Sequence, residues 1–450
     1  MEICKEIALG TFDPFVHELE DPYRSIRPRD PWVEAAVRYL RWTAARSLVP
    51  KRRENLSLPP SNPERPLLLY VHIPFCRAMC EYCSFHRFIF REDVARRYFA
   101  VLHEELELLR EQGYVFYSLY VGGGTPTVLP DEFLRLIAHA RELFPLREVS
   151  VEGDPLALDP AILGEMRGLV DRLSVGIQTF DDDLLLRAGR LHKFGTPESL
   201  QRRIAASVGI LPFLSIDLIF NWPEQTPQML CRDLEILLGL GPEQITTYPF
   251  MVSPATRSQN KLLLGNVSSA QEALYYKVVR RALEPAYTPT TAWHFARGDG
   301  RRDEPIDEYV VDYPEYMGAG SGAFSFRGDA LYVNAYDLEE YERLVRSERN
   351  PVTHTVSFSR RERYLYELMV ELFSRKVSEE RFSCIFGVPL TRVMGKELAL
   401  LEKIGALRRT DDGWVTTPRG EYLALALFRE FYVAMDNVRE QLRVELAAKR

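Results

Sequence analysis

The chain has 450 residues, more than one average domain, and its 46% hydrophobic and 27% charged residues supply enough apolar side chain for a sizeable core. That balance excludes a disordered, collagen-like or coiled-coil protein. A net charge of −7 leaves no global call for nucleic acid, so any anion site has to be local.

In chain order, the first fifteen residues carry Glu2 and Glu6 and lack a long apolar stretch before Asp13, which argues against a secretory leader. No uninterrupted apolar run approaches the roughly 18 residues of a membrane-crossing helix, so the expected location is cytoplasmic. Residues 1–66 are rich in proline and charge and contain one good helix. Asp30 is placed to cap it, Pro31 suits the first helical position, and Val33, Val37, Leu40 and Ala44 recur at helical spacing. This segment is expected to be an arm packed on something larger.

From residue 67 the pattern changes to short apolar strands, at 68–73, 118–123, 148–153, 172–178, 213–220, 244–250 and 291–296. Helical periodicity fills the gaps, as in EDVARRYFAVLHEELELLREQG and PDEFLRLIAHARELF. Strand–helix alternation on this scale predicts an α/β fold with a parallel sheet, a full or partial (β/α) barrel over 67–330. Chemistry then belongs at the carboxyl ends of the strands. Residues 331–450 read as a C-terminal helical domain, with two helices and a hairpin flanking Asp412-Gly413 in a winged-helix outline. Acidic residues interleaved among its bases favour a packing or lid role over DNA binding.

Six cysteines are too few for a disulfide framework, yet Cys76, Cys80 and Cys83 sit in a C-x3-C-x2-C run directly after a strand. Three thiolates on one loop can hold three irons of a [4Fe–4S] cluster and leave the fourth open to a substrate group. The competing reading is structural zinc completed by His72 or His86. Cys4, Cys231 and Cys384 are isolated and read as buried thiols.

Gly122-Gly123-Gly124-Thr125-Pro126-Thr127 exceeds what a strand-end turn requires, which favours ligand contact through the backbone. Glu152 ends another strand and is read either as a ligand acceptor or as an acid paired with Arg172. Arg190 is read as a carboxylate fork or a solvated base, and Asp217 interrupts an otherwise apolar strand, which favours a functional role. His192, His294 and Trp222 are possible substrate-pocket residues.

The cysteine run, preceded by Tyr70 and His72-Ile73-Pro74-Phe75, resembles the radical S-adenosylmethionine (SAM) enzymes of the oxygen-independent coproporphyrinogen III oxidase branch. The likeness continues through the glycine run, Glu152, Ser174-Val175-Gly176-Ile177-Gln178-Thr179-Phe180, Arg190-Leu191-His192 and Asp217-Leu218-Ile219, and covers roughly residues 65–330. It implies a [4Fe–4S] cluster on the three cysteines, SAM on the open iron, and a 5′-deoxyadenosyl radical. By resemblance, Tyr70, Gly123 and Glu152 contact this SAM, with Phe324 at its adenine. Tyr82, Gly124, Thr125, Gln178, Arg190, Asp217 and Pro249 match the pocket for a second SAM.

Three departures from the oxidase stand out. Phe85 occupies the place of a further cysteine, Asn221-Trp222-Pro223 replaces Gly-Leu-Pro, and the N-terminal segment differs. With the run Cys83-Ser84-Phe85-His86-Arg87-Phe88, these look more like branch members that methylate the naphthoquinone ring of menaquinone. The expected function is therefore a two-SAM C-methyltransferase, the alternative being a coproporphyrinogen oxidase or a haem-modifying or haem-trafficking relative. The resemblance also implies an aromatic small-molecule substrate and an electron donor such as flavodoxin or ferredoxin. A quinone would require contact with the inner membrane face, through Leu423, Leu427, Phe431 and Met435 or through the helix after Asp30.

Overall fold

A computed structural model describes Cys4, Ile7 and residues 21–53, 56, 58–61, 67–253, 256, 261–262, 264–298 and 309–448. The leader reading rests on residues that, those two apart, lie outside the described ones.

The first helix, α1 (Pro31–Ser47), starts where expected: the Asp30 carboxylate accepts from the Trp32 N–H at 2.9 Å and the Val33 N–H at 3.5 Å, with Pro31 in the first turn. Then follow β1 (Leu67–Ile73), α2 (Glu92–Glu111), β2 (Phe116–Gly123), α3 (Pro130–Leu143), β3 (Glu148–Gly153), β4 (Arg172–Gln178), α4 (Pro197–Ser207), β5 (Phe213–Phe220), α5 (Pro227–Leu240) and β6 (Gln244–Pro249). Strands β1 to β6 lie side by side in chain order and pair in parallel. Their nearly continuous apolar runs follow from burial on both faces: β1 buries six of its seven residues, and β5 all but Asp217.

After α6 (Ser269–Leu283) the direction changes. The stretch expected as a strand at 291–296 forms β7 (His294–Arg297), but it runs antiparallel to β6. The further parallel strand is β8 (Tyr316–Ala319), which pairs on the other side of β1 with Gly318 beside Tyr70. Beyond it, β9 (Phe324–Arg327), β10 (Ala330–Asn334) and β11 (Val352–Ser357) extend the same sheet antiparallel. The sheet therefore curves through a partial barrel with antiparallel edges at both ends, and residue 330 falls at the start of β10.

The C-terminal helical region comprises α7 (Arg360–Phe373), α8 (Glu379–Phe386), α9 (Leu390–Lys403), a three-stranded sheet that includes Leu407–Thr410 and Gly413–Thr416, and α10 (Pro418–Ala448). The hairpin turn itself is Asp411-Asp412, and Gly413, at φ 135°, opens the returning strand. Helix α1 packs along α10, where Arg41 forks onto Glu430 at 2.5 and 2.8 Å and Arg419 meets Asp30 at 2.6 Å. The arm thereby ties the C-terminal helix to the rest of the chain.

Candidate functional site

The cysteine loop leaves the carboxyl end of β1 and is closed at its base by a two-residue parallel pairing of Phe75–Cys76 with Phe88–Ile89. Cations hold its carbonyls. Arg87 donates to Cys80 O at 2.9 Å and Cys83 O at 2.6 Å, and Lys193 donates to Ala78 O at 2.8 Å. All three thiols are free, Cys76 and Cys80 buried and Cys83 half-buried. Burial raises the Cys76 and Cys83 thiols above their ordinary range, so ionisation is coupled to the arrival of a cation.

Zinc finds no fourth ligand in the histidines proposed for it. Both ring nitrogens of His72 are engaged, with Tyr70 Oη and His86 O at 2.9 Å each, and the His86 ring meets Ser321 Oγ at 3.4 Å and packs on Tyr336. Among the described residues, no three His, Cys, Asp or Glu side chains close on a single ion. A donor set of three thiols beside buried polar atoms with no partner of their own suits an iron–sulfur cluster with a bound co-ligand.

Above the loop opens a cavity of about 850 Å³, and every residue named from the sequence for the cluster and the two SAM sites lines it: Cys76, Cys80, Cys83, Tyr70, Tyr82, Gly123, Gly124, Thr125, Glu152, Gln178, Arg190, Asp217, Pro249 and Phe324. Most arrive from the carboxyl halves of adjacent parallel strands and the loops after them, whereas Phe324 opens the antiparallel β9. The placement is common; the local chemistry differs at each.

The glycine run does something other than expected. A Cβ on Gly124 would stand 2.6 Å from Phe75 O, one on Gly123 2.8 Å from the His72 ring, and one on Gly122 2.9 Å from the Glu152 carboxylate. The N–H of Gly123 donates to Glu152 at 3.0 Å, that of Gly124 to Ile73 O at 2.8 Å and that of Thr125 to Phe75 O at 2.8 Å. These donors are consumed within the protein. Glycine is required because the cysteine loop and Glu152 press against β2.

Glu152 also accepts from Tyr120 Oη at 3.0 Å, so its partners are Gly123 and Tyr120 rather than Arg172. Burial raises its carboxyl above the ordinary value, opposed by those two donors and reinforced by Asp217. Arg172 instead lies in a polar layer inside the barrel, donating to Gln244 Oε1 at 2.7 Å and Ser150 Oγ at 3.2 Å. In that layer Ser174 donates to Asp217 at 2.8 Å, and burial lifts the Asp217 carboxyl to about 6 against the pull of Arg172. Gln178 sits on the bulged end of β4 with φ 79°, and its buried Oε1 has no hydrogen-bond partner among the described residues. A non-glycine residue held there points to a constrained, functional position. Arg190 is 5% exposed, donates to Cys80 Sγ at 3.4 Å and Tyr82 Oη at 3.3 Å, and keeps an unpartnered Nε.

The three pocket residues suggested beside these lie elsewhere. His192 is exposed, His294 is buried against Thr246 at 2.8 Å, and Trp222 is buried edge-on to Tyr82. Cys4 and Cys231 are buried as expected, whereas Cys384 is exposed on α8.

Sequence reasoning missed the part played by α10. Asp436 accepts from Ser84 Oγ at 2.7 Å, Arg443 donates to Ser84 O, and Arg439 lies over the Phe85 ring at 4.9 Å. Leu423, Leu427, Phe431 and Met435 line the cavity, so the face offered above as a membrane contact points inward. No described helix is long and apolar enough to cross a membrane.

Residues 70–236 match the family model of the radical SAM superfamily, and the chain carries a radical SAM domain whose cofactors are a [4Fe–4S] cluster and SAM. Among curated relatives, heme chaperone HemW of Bacillus subtilis is 28% identical over 375 residues, covering 80% of this chain and 98% of its own. Oxygen-independent coproporphyrinogen III oxidase of Salmonella typhimurium is 28% identical over 322 residues, covering 66% and 69%. The solved structure of coproporphyrinogen III oxidase (HemN) from Escherichia coli superposes with a TM-score of 0.67 at 23% identity, covering 82% of this chain and 91% of that one, which establishes a shared fold.

These relatives overturn the expectation of menaquinone methylation and match its alternative. Of the residues that suggested a quinone, most of the run from Cys83 to Phe88 lines the cavity, whereas Asn221 and Trp222 do not. Both are buried, and the Trp222 ring packs against Tyr82 and Phe250.

Proposed function

We propose that this chain is a SAM-dependent radical enzyme acting on a porphyrin-type tetrapyrrole, of the coproporphyrinogen oxidase kind. The observation that carries the proposal is the convergence of three free thiols, a carboxylate pair and the buried Arg190 on one large cavity whose remaining wall is mostly apolar and aromatic, with Arg363 and Arg439 set into it. When bound, the cluster would supply one electron to SAM, releasing methionine and a carbon radical able to abstract hydrogen.

The chain's own residues would bind and orient. Cys76, Cys80 and Cys83 would hold the cluster. Glu152, fixed by Tyr120 and Gly123, would present a carboxylate oxygen to the methionyl ammonium or ribose hydroxyls of one SAM, beside Tyr70. Arg190, with its free Nε, would receive the carboxylate of a second SAM, while Asp217 and Gln178 would take its hydroxyls and amine. Arg87 and Lys193, already on the loop carbonyls, would balance the negative charge of a thiolate-ligated cluster. Helix α9 and the inner face of α10 would keep water from the substrate. A flavodoxin or ferredoxin as reductant belongs to the same proposal.

The test is product analysis under anaerobic conditions with dithionite, SAM and coproporphyrinogen III. Methionine, 5′-deoxyadenosine and carbon dioxide are expected. S-adenosylhomocysteine as the SAM product would contradict the proposal. A second reading, haem carriage without turnover, is favoured by the wider coverage of the chaperone relative; stable haem binding with no SAM cleavage would select it.

A further inference from the structure

Resting on the tetrapyrrole reading, we infer that Arg363, on the first turns of α7, is an anchor for a substrate carboxylate, with Arg439 of α10 as its neighbour. Arg363 lines the cavity, yet it is only 4% exposed. Its Nε and Nη1 have no hydrogen-bond partner among the described residues; of the carboxylates around it, Asp329 stands 3.6 Å from Nε and faces water, and Glu367 and Glu315 act on its charge without a hydrogen bond to it. Burial without a good partner is costly for a guanidinium, and it disfavours the charge here. A stably folded protein keeps such a group where something else completes it.

What completes it is set by geometry. The Arg363 guanidinium lies over Phe326 at 4.1 Å, and the Arg439 guanidinium over Phe324 at 5.8 Å. Phe324 and Phe326 are two apart on β9, so their rings share one face, about 7 Å apart along the strand. The two cations thus stand in a row above an aromatic floor, at the wall facing α7 and α10. Arg439 is already hydrogen-bonded to Asp436 at 2.5 Å, which leaves Arg363 as the one of the two without a hydrogen-bonded carboxylate. A flat apolar ligand with carboxylates on short arms at one edge matches this row. A ligand with an uncharged edge would leave the Arg363 Nε and Nη1 buried without a hydrogen bond.

The probe is coproporphyrin III, a fluorescent tetracarboxylate, titrated into the full-length protein alongside its tetramethyl ester. The wild type is expected to bind the acid more tightly than the ester. R363M keeps the apolar stem over Phe326 and is expected to weaken acid binding by roughly tenfold to a hundredfold, leave ester binding unchanged, and leave the melting temperature unchanged or higher. R363K, with charge but no planar fork, is expected to lose acid affinity by several-fold. Equal acid binding by wild type and R363M overturns the anchor while leaving the tetrapyrrole reading standing. A parallel loss of acid binding, ester binding and thermal stability shows a structural residue and also overturns it. A wild type that binds neither porphyrin defeats the tetrapyrrole reading itself, and the anchor with it.

Discussion

Replacing Arg190 with methionine tests how the cavity divides between two SAM molecules. The side chain is buried, lies over Phe194 at 4.4 Å, and donates to Tyr82, Cys80 and Gly176, leaving Nε for a ligand. A charge-assisted hydrogen bond of this kind contributes about 1.5–3 kcal/mol, and a buried carboxylate left without its cation loses that in full. At about 1.4 kcal/mol per decade, the affinity of the second site falls roughly 10- to 150-fold. Equilibrium dialysis of labelled SAM against anaerobically reconstituted protein reads this directly. The wild type is expected to bind two equivalents, and R190M one at the original affinity with the other beyond the accessible range. Methionine fills the space over Phe194, so the cluster should survive, which the absorption spectrum of the same samples checks. Two unperturbed sites in R190M, with the cluster intact, would refute the reasoning.

Further outcomes follow from the same contacts. Gly124→Ala places a Cβ 2.6 Å from a backbone oxygen of the cysteine loop, so it should cost about 1–3 kcal/mol of stability by thermal melt and lower iron retention, since a backbone atom cannot rotate away. Asp217 carries a carboxyl raised to about 6. A donor on the ligand prefers the ionised form, so SAM affinity should rise as pH increases through about 6 and then level, and Asp217→Asn should flatten the profile. Glu105, buried and accepting from Tyr341, Gly320 N and Asn334, is raised to about 7 by burial. Its folded form therefore holds its proton more tightly than the unfolded chain does, and stability falls as pH rises from about 4.5 through 7, by about 3 kcal/mol at most. Denaturant titrations at pH 5 and 8 should show this fall, and a Glu105→Gln variant should lose most of it. Removing the α10 clamp with Asp436→Ala should speed hydrogen exchange in residues 80–88, because Ser84 loses its partner.

What was legible in the sequence shares one property: the signal lies within a few residues. The parallel strands were legible because burial on both faces forces continuous apolar runs. The cysteine run and Arg190 follow strands, and Glu152, Gln178 and Asp217 lie in the carboxyl halves of theirs, so the barrel rule places them on one rim. Short, glycine-bearing β8 gave no such run, and the direction of β7 depends on the connection through α6, which periodicity does not encode. Arg439, Asp436 and Arg443 reach the cysteine loop from more than 350 residues downstream on an amphipathic helix like any other. The apolar face of that helix turns inward to the cavity, which α1 also lines, and neither placement is encoded in the periodicity of the two helices. The glycine run was read as a ligand cradle when the crowding it relieves is internal. Only the position of Phe75, His72 and Glu152 against β2 reveals this.

The central claim is that Cys76, Cys80 and Cys83 hold a cluster with an iron left open for SAM. Anaerobic reconstitution followed by electron paramagnetic resonance of the reduced protein, with and without SAM, tests it most directly. About four irons per chain and a spectrum that changes on adding SAM, both lost in the Cys80→Ala variant, are the predicted results. Uptake of a single zinc, or a cluster signal indifferent to SAM, would contradict the account.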